Sequence, residues 1–160
     1  MILRDGGLGV FRPGFRDDVG RAFVDVIDSP RAVNEIYNIT GSDIVNLRRF
    51  IQIIADAAGR TTNTVSIPSY VVETASDLPW HDWWYDFFSR MPAYIPSIDK
   101  ARRHFEMKTT PIAMWVAETV DWYMSNPQPD SNGYGLRDAE VALCRRWRDE
   151  YGAFTKAFTS

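Results

Sequence analysis

The chain has 160 residues, 45% of them hydrophobic, which is enough apolar side chain for the core of one domain. Its 18 basic and 21 acidic residues give a formal charge of −3, which argues against a nucleic-acid partner. One cysteine excludes an intramolecular disulfide, two isolated histidines predict no metal site, and no apolar run is long enough to cross a bilayer. We therefore expect a cytoplasmic protein with no membrane partner.

Glycine and proline punctuate the start of the chain, which predicts turns around a short extended piece. The glycine cluster at residues 5–9 has no predicted strand before it and no helix opening on it, so it lacks the context of a phosphate-binding turn. A helix follows, capped by Asp17 or Asp18. Its apolar positions recur at helical spacing from Val19 to Ile27, and Pro30 ends it.

The sequence after this helix predicts a strand, a turn and a second helix. Glu35 to Ile39 is a short β-prone run that is closed by Thr40 and Gly41. Asn46 then caps an amphipathic helix that ends at Gly59. Another short strand is predicted from Thr64 to Ile67.

An aromatic-rich stretch reaches residue 96 and is broken by prolines. Many of its aromatic residues lie close to His81 in the sequence. Such a concentration of rings is typical either of a pocket for a planar ligand or of ordinary packing under a loop. We select Trp84 and Tyr85 as candidate ligand contacts because each joins a ring to a polar group. His81 and Asp82 are not selected as an acid–base pair, because adjacent residues on a helix face different directions.

The C-terminal part predicts three helices. Ser97 caps a short helix through Phe105, and Thr110 with Pro111 starts a longer helix that reaches about Ser125. Residues 1–125 are followed by a linker at 126–135 and an amphipathic tail helix at 136–160. The apolar stripe of the tail needs cover, either from the same chain or from a partner.

Several motifs stand in a specific order along the chain. They are Asp17-Asp18-Val19-Gly20-Arg21-Ala22, Glu35-Ile36-Tyr37-Asn38-Ile39-Thr40-Gly41, Asp99-Lys100-Ala101 and Trp122-Tyr123. Their order resembles the second half of an extended short-chain dehydrogenase/reductase of the NAD-dependent epimerase/dehydratase type. The resemblance implies an α-rich α/β fold: a C-terminal substrate-binding lobe with a remnant of a Rossmann-type parallel sheet, in which Tyr37 to Ile39 is a strand.

The motifs that carry the chemistry in that family are missing from this sequence. No Gly-x-x-Gly-x-x-Gly turn is present, and none of the seven tyrosines lies four residues before a lysine. We therefore assign no catalytic and no cofactor-binding residue. By the resemblance, the complete protein uses NAD or NADP on a small molecule such as a nucleotide sugar, and this chain alone is expected to bind no dinucleotide. The choice of cofactor, the substrate and the reaction type stay open.

Arginines give the remaining site candidates. Arg12, Arg16 and Arg90 lie nearest to the positions where family members hold a diphosphate or a carboxylate, and bidentate anion binding suits the guanidinium. The resemblance therefore adds Arg16 and Arg90 to the candidate substrate-binding residues, with a surface or ion-pair role as the alternative. Cys144 is interpreted as an ordinary buried thiol and His104 as a surface residue.

Two alternatives stay open for the whole chain. One is a non-catalytic ligand- or partner-binding module that kept only this lobe. The other is a domain of a different class, which predicts a structure without parallel strand pairs. If the strand at Tyr37 lies at an open sheet edge, we expect the chain to associate with itself or with a nucleotide-binding half.

Overall fold

The computed structural model describes residues 1–75, 93–126 and 135–159. The described strands are β1 (Ile2–Arg4), β2 (Val10–Phe11), β3 (Val45–Asn46), β4 (Val65–Ile67) and β5 (Ala93–Tyr94). The described helices are α1 (Arg16–Ile27), α2 (Leu47–Ala57), α3 (Ser69–Glu73), α4 (Asp99–Phe105), α5 (Ile112–Ser125) and α6 (Arg137–Thr159), here called the tail helix.

The strands form two small sheets. Strand β1 pairs in parallel with β4, with Ile2 opposite Val65 and Arg4 opposite Ile67. Strand β2 lies between β3, which is antiparallel to it, and β5, which is parallel to it. The fold is therefore α/β and helix-rich with a small parallel sheet, as the sequence predicts. The parallel pairs mean that the observation expected for a domain of a different class, a structure without parallel strand pairs, is not made.

The tail helix covers one face of the β1–β4 pair. Leu143 and Cys144 are buried against Ile2 and Ile67 in a single core cluster. Glu140 is also buried, and its carboxylate accepts a hydrogen bond from the Ile2 amide at 2.8 Å. The first half of the tail helix therefore packs on its own chain, because its apolar stripe at spacings of three and four faces the sheet.

Helices α2 and α5 form the second core region. Ile53 of α2 is buried against Ile112 and Val116 of α5. The Asn46 side chain accepts a hydrogen bond from the Arg49 amide at 2.8 Å, and Gly59 has a φ of 62° just past the helix end. Both signals act as predicted: an asparagine satisfies a free amide, and glycine adopts the left-handed conformation at no steric cost.

The predicted caps of α1 and α5 are wrong. Helix α5 begins at Ile112, whose amide donates to Asp43 at 2.9 Å, so the cap is a distant carboxylate and not Thr110. At α1, neither Asp17 nor Asp18 caps the helix with its side chain. Asp18 instead accepts a hydrogen bond from the Thr110 amide at 2.7 Å. Tertiary partners have replaced the local capping that the sequence predicts.

The predicted strand from Glu35 to Ile39 is also wrong. This segment is irregular, and its side chains bind α4 and the loop before it. The Tyr37 ring packs edge-on against Phe105 with ring centroids 5.1 Å apart, and Asn38 donates to the Ser97 carbonyl at 3.2 Å. A strand needs a neighbour to satisfy its backbone, and within the described ranges no strand pairs with this segment.

A third correction concerns the glycine cluster. The structure does place a strand before it, because β1 ends at Arg4. The segment then turns through Gly6 and Gly7, both at positive φ, and no α-helix opens directly on it. A Cβ at Gly7 would meet the Arg48 amide nitrogen at 3.1 Å, and the Arg48 guanidinium donates to the Gly6 carbonyl. These glycines therefore permit close packing on α2.

Asp5 anchors the start of α3. Its carboxylate accepts hydrogen bonds from the amide and the hydroxyl of Ser69, and these bonds hold the pKa of Asp5 below its ordinary value of 3.8. The stabilisation is complete above the ordinary pKa and is lost as pH falls through the lower pKa of the folded state.

We expect Asp5→Asn to lower the free energy of unfolding by about 0.5–1 kcal/mol near neutral pH, because a hydrogen bond to a charged acceptor is stronger than one to a neutral amide oxygen. Urea denaturation between pH 7 and pH 3 should show the difference from the wild type shrinking as the wild-type carboxylate becomes protonated. Asparagine tolerates the positive φ of residue 5, so backbone strain is not added. A difference that stays constant with pH would contradict this role.

Candidate functional site

A cavity of about 320 Å³ lies between the start of α1 and one face of α5. We call it the α1–α5 pocket. Its lining consists of Gly14, Phe15, Arg16, Trp115, Glu118, Thr119 and Trp122. Trp115, Thr119 and Trp122 recur along α5 at spacings of three and four, so they share one face of that helix.

Two stacked rings form one wall of the pocket. Phe15 and Trp115 lie nearly parallel, at an interplanar angle of 12° with centroids 5.8 Å apart. Phe15 is buried, and Trp115 also contacts Phe50 of α2 with centroids 6.0 Å apart. Contacts with these two rings restrict the rotamers of Trp115, so the pocket wall is pre-formed.

Opposite charges stand at the mouth of the pocket. The Arg16 side chain is 84% exposed, and its Nε donates to Asp17 at 2.8 Å. This contact raises the pKa of Arg16 further above its ordinary value, with a smaller contribution from Glu118. The guanidinium is therefore always charged and keeps donors available to an anion.

The arrangement suits ligand binding. An indole wall with a guanidinium at the entrance suits a ligand that joins a planar or apolar group to a carboxylate or phosphate. The hydroxyl of Thr119 in the lining donates to the Trp115 carbonyl at 2.7 Å. Among the described residues, no cluster of three or more His, Cys, Asp or Glu side chains could hold a metal ion.

The structure places one of the four candidate substrate-binding residues in a pocket. Arg16 lines the α1–α5 pocket, whereas Trp84, Tyr85 and Arg90 lie outside the described residues, as does His81. Arg12 donates to the Pro96 carbonyl at 2.8 Å, so that guanidinium holds the segment after β5.

Two other residues weighed from the sequence have structural roles. His104 is half-buried rather than fully on the surface, and its Nδ1 shares a 2.8 Å hydrogen bond with the Tyr37 hydroxyl. Cys144 is buried as expected, and burial raises the pKa of its thiol. A raised pKa keeps the thiol protonated near neutral pH, so Cys144 is unsuited to nucleophilic chemistry.

The sequence interpretation missed the aromatic wall of this pocket. Trp115 is not singled out from the sequence, and Trp122 is used only as part of the Trp122-Tyr123 motif. The signal was available, because two tryptophans seven residues apart lie two turns apart on one helix face, with Glu118 and Thr119 between them. No helix of the described chain has the length and apolarity that a membrane span requires.

Comparison with protein-family models and with curated sequences finds no match. Solved structures do match at low identity. UDP-glucuronic acid 4-epimerase from Bacillus cereus, in complex with NAD, has a TM-score of 0.57 and 15% identity over 82% of this chain and 35% of its own. The same enzyme with UDP-glucuronic acid and NAD has a TM-score of 0.58 and 13% identity over 78% of this chain.

A second enzyme has the same similarity of fold. The Bordetella bronchiseptica enzyme WbmF, in complex with NAD⁺ and UDP, has a TM-score of 0.55 and 16% identity over 94% of this chain and 36% of its own. The chain thus spans about a third of the length of the enzymes it matches. At this identity the match establishes similarity of fold, and at that level it agrees with the resemblance found in the sequence.

Proposed function

We propose that this chain is the substrate-binding C-terminal part of an extended short-chain dehydrogenase/reductase of the epimerase/dehydratase type, inactive alone. The complete protein would use NAD or NADP on a small molecule such as a nucleotide sugar. The observation that carries the proposal is a fold match over most of this chain but only about a third of each enzyme. The remaining part would supply the cofactor turn and the Tyr/Lys pair that this sequence lacks.

An uncovered face of α1 supports the proposal. Phe23, Val24 and Ile27 are exposed and fall within one sector of the helix, and Ile36 is exposed in the segment that follows. Single exposed apolar residues are ordinary, but a cluster on one helix face usually marks a place where another layer packs. In the proposed function, the nucleotide-binding half packs on this face.

The α1–α5 pocket supports the substrate-binding part of the proposal. Nucleotide sugars join a planar base to a diphosphate, and UDP-glucuronic acid adds a carboxylate. The pocket offers matching chemistry, with Trp115 and Trp122 as flat apolar walls and Arg16 as an anion-binding group. In the proposed function this pocket holds part of such a ligand.

Arg16→Ala tests this role. We expect UDP-glucuronic acid to quench the tryptophan fluorescence of the wild-type chain, and Arg16→Ala to weaken binding about tenfold, the size of one charge-assisted hydrogen bond. Arg60→Ala is the matched control, because Arg60 is exposed and does not line the pocket. Equal weakening by the two substitutions, or no binding by the wild type, would overturn the assignment of the pocket.

The fragment part of the proposal has its own tests. The isolated chain should show no epimerase or reductase turnover and no heat of NAD binding in calorimetry, and micromolar NAD affinity would contradict it. The reading frame upstream of Met1 should continue and encode a glycine-rich turn and a Tyr-x-x-x-Lys pair. An in-frame stop codon close upstream would instead favour a non-catalytic binding module.

A further inference from the structure

The apolar stripe of the tail helix continues past the core that it covers. Trp147 packs at the edge of the β1–β4 cluster, and Tyr151, Phe154 and Phe158 follow at spacings of four, three and four. These three rings are 52%, 61% and 75% exposed, so exposure rises along the helix. The overhang from Trp147 to Phe158 is roughly 16 Å long at 1.5 Å per residue.

A groove of matching chemistry lies elsewhere on the same chain. It has a volume of about 400 Å³, its lining is apolar, and it runs between α2 and α5. We call it the α2–α5 groove. Its lining includes Ile54 of α2 and Val116, Val120, Tyr123 and Met124 of α5. An amphipathic helix commonly binds in a groove of this kind through anchors at i, i+3, i+4 and i+7.

We propose that the end of the tail helix of one copy binds in the α2–α5 groove of a second copy, and that the exchange is reciprocal. The tail does not fill its own groove: it runs unbroken from Arg137 to Thr159, and its last rings stay exposed. The helix and the groove belong to one sequence, so every copy carries both halves of the contact. A two-fold axis then closes the assembly as a dimer.

The contact area is sufficient for a specific dimer. An aromatic side chain buries about 150–250 Å², so the exposed parts of the three rings offer roughly 400 Å² per tail. In the groove, Ile54, Tyr123 and Met124 are 38%, 51% and 62% exposed, which offers roughly 300 Å² more. Because the exchange is reciprocal, both contacts together bury roughly 1,400 Å². Stable interfaces bury about 1,200–2,000 Å², so the exchange reaches the range of a specific dimer. The proposal rests on the tail and the groove alone and is independent of the proposed function.

Substitutions on each side of the contact test the exchange. Analytical ultracentrifugation of the full chain should give a dimer with micromolar affinity. Phe154→Ser with Phe158→Ser should weaken it by roughly 30-fold or more, since buried aromatic anchors dominate interfaces. Met124→Glu at the groove should do the same. Circular dichroism should show that each variant keeps its helices, because these side chains are largely exposed.

Matched controls make the result specific. Met114→Glu is the groove control, because Met114 is equally exposed on the same helix but does not line the groove. Tyr70→Ser is the tail control, since it removes an exposed aromatic side chain from α3. Both control variants should leave the dimer affinity unchanged.

Cross-linking shows which surfaces meet. Phe154→Cys and Met124→Cys, made in separately tagged chains and mixed under mild oxidation, should give a mixed covalent dimer. Phe154→Cys with Met114→Cys should not. A monomeric wild type would overturn the proposal, as would self-association that survives Phe154→Ser with Phe158→Ser. Equal cross-linking at positions 124 and 114 would also overturn it.

Discussion

Asp18→Ala should lower the free energy of unfolding by about 2–4 kcal/mol, because a buried carboxylate is lost together with the two hydrogen bonds that it accepts. Asp18 is 1% exposed, and its carboxylate accepts 2.7 Å hydrogen bonds from both the amide and the hydroxyl of Thr110. It also pairs with Arg21 on the next turn of α1. Alanine would leave the half-buried Thr110 amide without this acceptor, which itself costs about 1 kcal/mol.

Chemical denaturation followed by circular dichroism measures this loss. Asp17→Ala is the matched control, because Asp17 is the adjacent carboxylate, is partly exposed and pairs only with Arg16 in the described contacts. We expect the control to change stability by less than about 1 kcal/mol, as for other exposed ion pairs. Asp18→Asn should fall between the two. If both alanine variants were equally stable, Asp18 would not join α1 to the start of α5.

Gly41→Ala should lower the free energy of unfolding by about 2–4 kcal/mol, since over-packing costs about 1–3 kcal/mol and a lost hydrogen bond adds about 1. A Cβ at residue 41 would lie 2.4 Å from the Pro13 carbonyl oxygen. The Gly41 amide donates to that same oxygen at 2.9 Å. The two segments must therefore separate, and the bond that joins them is lost.

Gly20→Ala is the control, and it should change stability in the opposite direction. Nothing lies within 4 Å of a Cβ at Gly20, which is inside α1. Alanine there should raise the free energy of unfolding by about 0.5–1 kcal/mol through helix propensity. Thermal melts of both variants give the two signs in one experiment. If Gly41→Ala melts at the same temperature as the wild type, the segment around Pro13 can move away from residue 41 without a measurable loss of stability.

Five of the six described α-helices could be predicted from the sequence because their signals are local, and the short helix α3 was missed. The Asn46 cap and the glycine after α2 lie within one turn of the helix they bound, and an apolar stripe needs only its own spacing. Strand β1 carried no such signal, because it has three residues, all buried, and ends in Arg4. Its identity as a strand depends on β4, which lies more than sixty residues away.

The segment around Tyr37 shows the opposite error, because its local signal predicts a strand and the structure has none there. Its composition favours β structure, but β propensity reports how a side chain packs on neighbouring strands. In the described parts of the chain no strand lies beside it, and Tyr37 packs on α4 instead. The expected self-association through that strand edge therefore loses its premise. The tail helix and the α2–α5 groove provide a different route to a dimer.

Only part of the site could be predicted, because the sequence shows local spacing and does not show which distant segments come into contact. A family resemblance singled out Arg16, which does line the α1–α5 pocket. The partners of Arg16 could not be predicted, because Trp115 and Glu118 come from a helix about one hundred residues away. Asp18 was assigned a local capping role, whereas its partner Thr110 is 92 residues away. Spacing along one helix does not tell which other helix will face it.

The bond between the Ile2 amide and Glu140 affects the order of folding, because it joins residues 138 positions apart. Closing a loop of that length costs roughly 4 kcal/mol of chain entropy, so this contact forms late. During synthesis, β1 and β4 leave the ribosome long before the tail helix that covers them. Until Leu143 and Trp147 emerge, the apolar side of that sheet is open to water. We therefore expect the nascent chain to be prone to aggregation until the tail helix is made.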